Sequence, residues 1–98
     1  MKRQRSETEI DLHIENLQNN SSQLSIPDIL HIQLDYCQKF LEQSIVKGFD
    51  KIVIIHGVGK GTLKKEIAKI LKAHPNVASF HNALVIDYGL GATEVFLK

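Results

Sequence analysis

KIVIIHGVGKGTLKKEI, Lys51 to Ile67, passes from a continuous apolar run through three alternate glycines into a basic segment with helical periodicity. Ile52 to Ile55 is β-branched and offers no polar face, which predicts a strand buried on both sides and usually central in a sheet. From Thr62 the period changes. Leu63, Ile67, Ile70 and Leu71 fall on one side and Lys64, Lys65, Lys69 and Lys72 mostly on the other, the pattern of an amphipathic helix. Pro75 ends that helix, because the residue before a proline avoids the helical region. A strand that feeds a helix through a glycine loop is half of a βαβ unit, and it makes this an α/β chain.

Upstream, SIPDILHIQLDYCQKFLEQSIVKG (Ser25–Gly48) predicts a longer helix. Ser25 and Asp28 resemble a capping box, and Pro27 suits the first turn. Leu30, Leu34, Cys37, Leu41 and Ile45 form an apolar stripe that Ile29 and Phe40 widen, and Gly48 suits the position just past the end. Before it, EIDLHI (Glu9–Ile14) alternates and predicts a half-buried strand, joined to the helix by the polar loop ENLQNNSSQLS. Downstream, SFHNALVIDY and TEVFLK read as two antiparallel strands joined by GLGA. The order β-α-β-α-β-β predicts a two-layer α/β sandwich, with a mixed sheet of about four strands and both helices on one face.

The bulk numbers narrow the function. With 98 residues the chain forms one domain, and a chain of this size buries roughly 60–65% of its unfolded surface. A net charge of +1 means that any basic surface is local. The single cysteine, Cys37, excludes an internal disulfide and a cysteine-based zinc finger and fits a reducing compartment, the cytoplasm. No apolar run approaches the length of a membrane span. Residues 1–8, beginning MKRQRSE, are basic and have no apolar segment behind them, so they read as a flexible segment or linker rather than a secretory signal.

Three groups of residues invite chemistry. The glycine loop fails the Walker A pattern, because Gly59-Lys60 is followed by Gly61 and the position five before Gly59 is Ile54. It fails the dinucleotide fingerprint too, since the third glycine would fall at Thr62 and no acidic residue follows about twenty positions on. What remains is physical: Gly57, Gly59 and Gly61 leave amide N–H groups uncovered beside a helix N-terminus, which favours a phosphate, and Lys60, Lys64 and Lys65 add positive charge. The plainer account is a tight turn with unusual dihedral angles. Asp11 and His13 share the strand face opposite Ile10, Leu12 and Ile14, where a carboxylate can orient an imidazole; a solvated sheet face would look the same. His56 closes the central strand, at the carboxyl end where α/β folds gather ligands. Were the first strand parallel to it, two imidazoles, a carboxylate and a phosphate-ready loop would meet, which suggests phosphodiester cleavage. A divalent metal held by Asp11, His13 and His56 suits the residue types, though the spacing does not demand one. His31, His74 and His81 read as surface or capping residues.

Taken together, three motifs resemble the Smr (small MutS-related) domain family. The family's Leu-Asp-Leu-His-Gly reads IDLHI here, Ile10 to Ile14; its His-Gly-x-Gly-x-Gly is matched in full by HGVGKG, His56 to Gly61; its Gly-x-Gly-x-Thr before a final strand is GLGATEVFL, Gly89 to Leu97. Order and spacing match from Glu9 to Lys98. The resemblance implies a fold similar to the C-terminal domain of translation initiation factor three, and it implies binding of DNA or RNA. Several members are endonucleases that use the residues equivalent to Asp11, His13 and His56. Gly57, Gly59, Lys60, Gly61, Thr62, Lys64, Gly91 and Thr93 would then form the nucleic-acid surface. Such domains often sit at the C-terminus of larger proteins, so an attached N-terminal domain is expected. One departure counts against catalysis: the family's glycine after the first histidine is Ile14 here, and a branched side chain would obstruct a backbone approaching that point. Three classes therefore compete: an endonuclease, a non-catalytic nucleic-acid-binding module, and a protein-interaction domain.

Overall fold

The computed structural model describes residues 7–19 and 21–98; the segment expected to be flexible, residues 1–8, lies outside them except for its last two residues. The elements are β1 (Glu9–Asp11), α1 (Ile26–Val46), β2 (Lys51–Ile55), α2 (Thr62–Ala73), β3 (Val77–Asn82), α3 (Val85–Tyr88) and β4 (Ala92–Leu97), with two 3-10 turns between β1 and α1. The sheet order is β1-β2-β4-β3. β1 runs parallel to β2, with Asp11 opposite Ile55, while β4 is antiparallel to both β2 and β3. This is the mixed four-stranded α/β fold that the alternation of strand and helix patterns predicts.

The main core lies between the sheet and the two long helices. Cys37 and Leu41 of α1 and Ile67 and Leu71 of α2 pack on Ile52, Ile54, Val95 and Leu97 of the sheet. α1 begins as its sequence demands: Ser25 Oγ accepts the Asp28 N–H at 3.2 Å, and Pro27 sits in the first turn. Inside α1, Ser44 is buried but satisfied, since its hydroxyl donates to the Phe40 carbonyl at 2.8 Å. At the far end of α2, His74 Nδ1 accepts the Asn76 N–H, so Nε2 carries the proton. It donates that proton to Glu42 of α1 at 2.6 Å, a capping role.

Two expected strands end differently. Glu9–Ile14 keeps its alternation, but the ladder stops at Asp11, because the Asp11 carboxylate captures the His13 N–H at 3.0 Å and turns the chain into a 3-10 turn at Ile14–Asn16. The segment read as SFHNALVIDY is a strand only from Val77 to Asn82; Val85–Tyr88 is one helical turn, and the connection to β4 is longer than GLGA. The last main-chain bond between β3 and β4 runs from the Ala83 N–H to the Ala92 carbonyl at 3.1 Å, while the Gly91 carbonyl points to the opposite edge and accepts the amides of His56 and Gly57. Past that bond the chain turns back, and Tyr88 packs on the second sheet face with Val53, Ile55, Ala83 and Ala92.

Candidate nucleic-acid and catalytic site

β1 delivers Asp11 and His13 to the carboxyl end of the sheet. Asp11 Oδ1 lies 2.6 Å from His13 Nδ1 and also accepts the His13 main-chain N–H, so one carboxylate oxygen fixes both the backbone and the ring. A carboxylate only accepts, hence Nδ1 carries a proton and, in the neutral ring, Nε2 is the basic nitrogen. Asp11 is largely covered, at 14% side-chain exposure, whereas His13 is open, at 44%. The ring lies over Gly57: a Cβ there would come within 2.8 Å of His13 Nε2.

His56 is arranged differently. It is 7% exposed, and both ring nitrogens are already in use. Nδ1 lies 2.9 Å from the Gly57 carbonyl and Nε2 lies 3.0 Å from Thr93 Oγ1. A carbonyl cannot donate, so Nδ1 is the protonated nitrogen and Nε2 accepts from the Thr93 hydroxyl. Burial lowers the His56 pKa from its ordinary value; the bond to Gly57 opposes that, and the positive charge of Lys64 and the proximity of His13 add to the lowering. Period 2 explains why the two histidines differ. Ile54 faces the long helices and pairs with Thr93, so Thr93 and its partner His56 are on the helix side, while Asp11, opposite Ile55, faces away. The rings meet at Gly57, one over its Cα and one on its carbonyl.

Gly57 is held from a third direction. The amides of His56 and Gly57 both donate to the Gly91 carbonyl, at 2.8 and 2.9 Å. A Cβ on Gly91 would meet Gly57 Cα at 3.0 Å, so the close crossing of the second and third motifs needs glycine at 91. Gly91 and Thr93, expected on the nucleic-acid surface, are both buried: the first packs against Gly57 and the second bonds His56.

Beyond Gly57 the loop opens. Val58, Gly59 and Lys60 are exposed, and Gly61, the residue that caps α2, offers no side chain to its first amides. Gly57, Lys60, Gly61, Thr62 and Lys64 line a depression of about 240 Å³ whose far wall is the first turns of α1. Gly59 is outside that lining. Asp11, His13 and His56 gather around Gly57, and among the described residues no cluster of three histidine, cysteine or carboxylate side chains could hold a metal.

Two features escaped the sequence. Gln33 of α1 donates to the Leu12 carbonyl at 2.9 Å and so braces the chain beside the dyad; a polar residue near an apolar stripe was its only signal. Leu84, Val85, Ile86 and Leu90 are more than 60% exposed beside the Gly91 crossing, where an apolar run had suggested a strand.

The comparisons with known proteins point one way. The sequence profile of the Smr domain matches residues 33–98. The protein named Endonuclease MutS2 from Staphylococcus saprophyticus is 37% identical over 60 residues, covering 61% of this chain and 8% of that protein. That of Halalkalibacterium halodurans is 38% identical over 61 residues, covering 62% and 8%. The chain thus spans less than a tenth of the length of these curated relatives. Among solved structures, the Smr domain of Thermus thermophilus MutS2 superposes with a TM-score of 0.73 at 26% identity, over 93% of this chain and 98% of that one. YdaL, a stand-alone small MutS-related protein from Escherichia coli, has a TM-score of 0.69 at 19% identity, over 96% and 66%, a likeness of fold. With its second and third motifs inside the matched region and its fold shared throughout, the chain belongs to the Smr domain family.

Proposed function

We propose that this domain binds DNA or RNA through the glycine loop and cleaves a phosphodiester bond with His13 as general base. The observation that carries the reading is the Asp11–His13 dyad: Nδ1 is held by the carboxylate, and Nε2 is free at the mouth of an uncapped, lysine-flanked loop. The MutS2 relatives are named endonucleases, and the resemblance of the motifs implies a reaction centre at Asp11, His13 and His56. In the reaction, His13 Nε2 takes the proton of the attacking oxygen, from water or from a neighbouring ribose hydroxyl. A new P–O bond forms as the bond to the leaving oxygen breaks, and that oxygen takes a proton from solvent. Lys60, Lys64 and the first amides of α2 oppose the charge that grows on the phosphoryl oxygens. None of these steps requires a metal; adding and withholding a divalent cation tests for one.

The test pairs cleavage with binding. Supercoiled plasmid and a structured RNA are incubated with the domain, with and without magnesium or manganese, beside a binding titration. His13→Ala should lower cleavage by about 10²-fold or more and leave affinity nearly intact. Wild type that binds but never cuts would leave the second reading, a binding module that delivers an attached domain to nucleic acid. That reading is favoured by Ile14, half-buried at the first position after the dyad where the family motif has glycine. No helix among the described residues is long and apolar enough to cross a bilayer.

A further inference from the structure

We propose that His56 and Thr93 are a positioning pair that holds the Gly57 backbone beneath His13 Nε2, and that His56 itself exchanges no proton with the substrate. The proposal rests on the endonuclease reading only for its kinetic consequence; the pair itself is a statement about the free protein. It follows from the hydrogen bonds of the ring. Nδ1 of His56 is spent on the Gly57 carbonyl and Nε2 on the Thr93 hydroxyl. Thr93 is 5% exposed, so its hydroxyl has no competing solvent partner and fixes the ring plane. The ring fixes the Gly57 carbonyl while Gly91 fixes the Gly57 amide, and the Cα between them is the floor on which the His13 ring rests. A histidine acting as general base or acid needs a ring nitrogen that can reach the reacting oxygen, and of these two histidines His13 presents one. The charged and titratable groups facing His56 are Lys64 from α2 and His13 from beyond β1, both of which oppose a proton on it. Asp11 faces His13.

Long-range proton–nitrogen NMR of the histidine rings tests this without substrate, and a pH–rate profile tests it with plasmid and RNA. His56 is expected as the Nδ1–H tautomer and, with burial lowering its pKa, neutral at neutral pH. Thr93→Val, close in shape but without the donor, should move the His13 ring signals. It should also lower cleavage about 10- to 100-fold, the cost of a reacting group misplaced by under an ångström, without moving the inflection of the pH–rate profile. Thr93→Ser should restore both. His56→Asn, whose amide can still reach the Gly57 carbonyl, should lose less activity than His56→Ala and keep the inflection. An Nε2–H tautomer on His56, a limb of the pH profile lost in His56→Asn, or His13 signals unmoved by Thr93→Val would each overturn the pair. Should Thr93→Val fail to fold, the tautomer and His56→Asn decide alone. Ring signals as expected with no cleavage by wild type would uphold the pair and remove the endonuclease reading by itself.

Discussion

Gly57→Ala tests the geometry most directly, because its cost separates into two parts. The first is backbone strain: Gly57 has φ +80°, and an L-residue held in the left-handed region costs about 1–2 kcal/mol. Gly59 has φ +93° with nothing within 4 Å of a Cβ, so Gly59→Ala carries strain of the same kind and no clash. The second part belongs to Gly57 alone. A methyl 2.8 Å from His13 Nε2 is several tenths of an ångström inside ordinary contact, and the ring is tethered through Nδ1 to Asp11. Either the ring swings and loses a charge-assisted hydrogen bond worth about 1.5–3 kcal/mol, or the loop lifts away from Gly91. Denaturant unfolding should show Gly59→Ala down by about 1–2 kcal/mol and Gly57→Ala by more. Both should remain folded, since domains have about 5–15 kcal/mol in reserve. His13 ring signals should move only in Gly57→Ala, and cleavage should fall about 10²-fold there, whereas Gly59→Ala should keep most of it. Gly57→Ala and Gly59→Ala indistinguishable in His13 shift and in cleavage would refute the placement of His13 over Gly57.

Binding should weaken with salt, and Lys60→Ala/Lys64→Ala should flatten the dependence of log K on log salt by about one unit for each phosphate the lysines neutralise, read by fluorescence titration on duplex DNA. An unchanged slope would move the interface away from the glycine loop. The lowered His56 pKa gives a stability signature. Between the unfolded histidine value and the lower folded one, the unfolded chain binds the extra proton. Stability is therefore full above the unfolded value and is lost as pH falls through that window, at no more than about 1.4 kcal/mol per pH unit. His56→Asn should flatten that part of a denaturation-versus-pH series. Cys37 is fully buried, and burial pushes its thiol up to about 12. Labelling with a thiol reagent at about pH 8 should therefore be slow and track global opening, and fast labelling of native protein would contradict the α1–sheet packing. Gly91→Ala forces a methyl onto the Gly57 backbone, which cannot rotate away as a side chain can, so thermal unfolding should show a loss of about 1–3 kcal/mol.

The central unit was legible because its signals are local and strong. An apolar β-branched run, a glycine loop and a 3–4 stripe ending before Pro75 leave little room for another reading, and the Ser25 cap and Gly48 bracket α1 as clearly. Val85–Tyr88 was not legible. Its apolar residues have the composition of a strand, but the ladder to β4 ends at Ala83, and where a ladder ends is set by pairing between segments far apart in sequence. The same holds for Thr93. Its motif position suggested that it touches nucleic acid, but its hydroxyl is directed inward by its pairing opposite Ile54, which only the sheet register reveals. Parity did carry one usable signal: counting by two from Ile54 puts His56 on the helix side, and counting by two from Leu12 puts Asp11 and His13 on the other.

That parity explains how one small site can keep two imidazoles in different states. Two histidines on one face would share solvent and repel when charged. Here the sheet separates them, and Gly57, lacking a side chain, lets them approach from opposite sides of the same backbone. One side is open and has a carboxylate, which supports an imidazolium as it forms. The other is buried beside Lys64, which opposes one. Environments that push apart the protonation of like residues assign them different work. The positive charge offered to a phosphate at rest then comes from Lys60, Lys64 and the α2 amides and not from His56, so removing the His56 ring should leave the salt dependence of binding unchanged. The slope of log K against log salt in His56→Asn should accordingly match wild type, while in Lys60→Ala/Lys64→Ala it should flatten; a slope flattened by about one unit in His56→Asn would mean that the buried ring, against its geometry, is the one that carries charge.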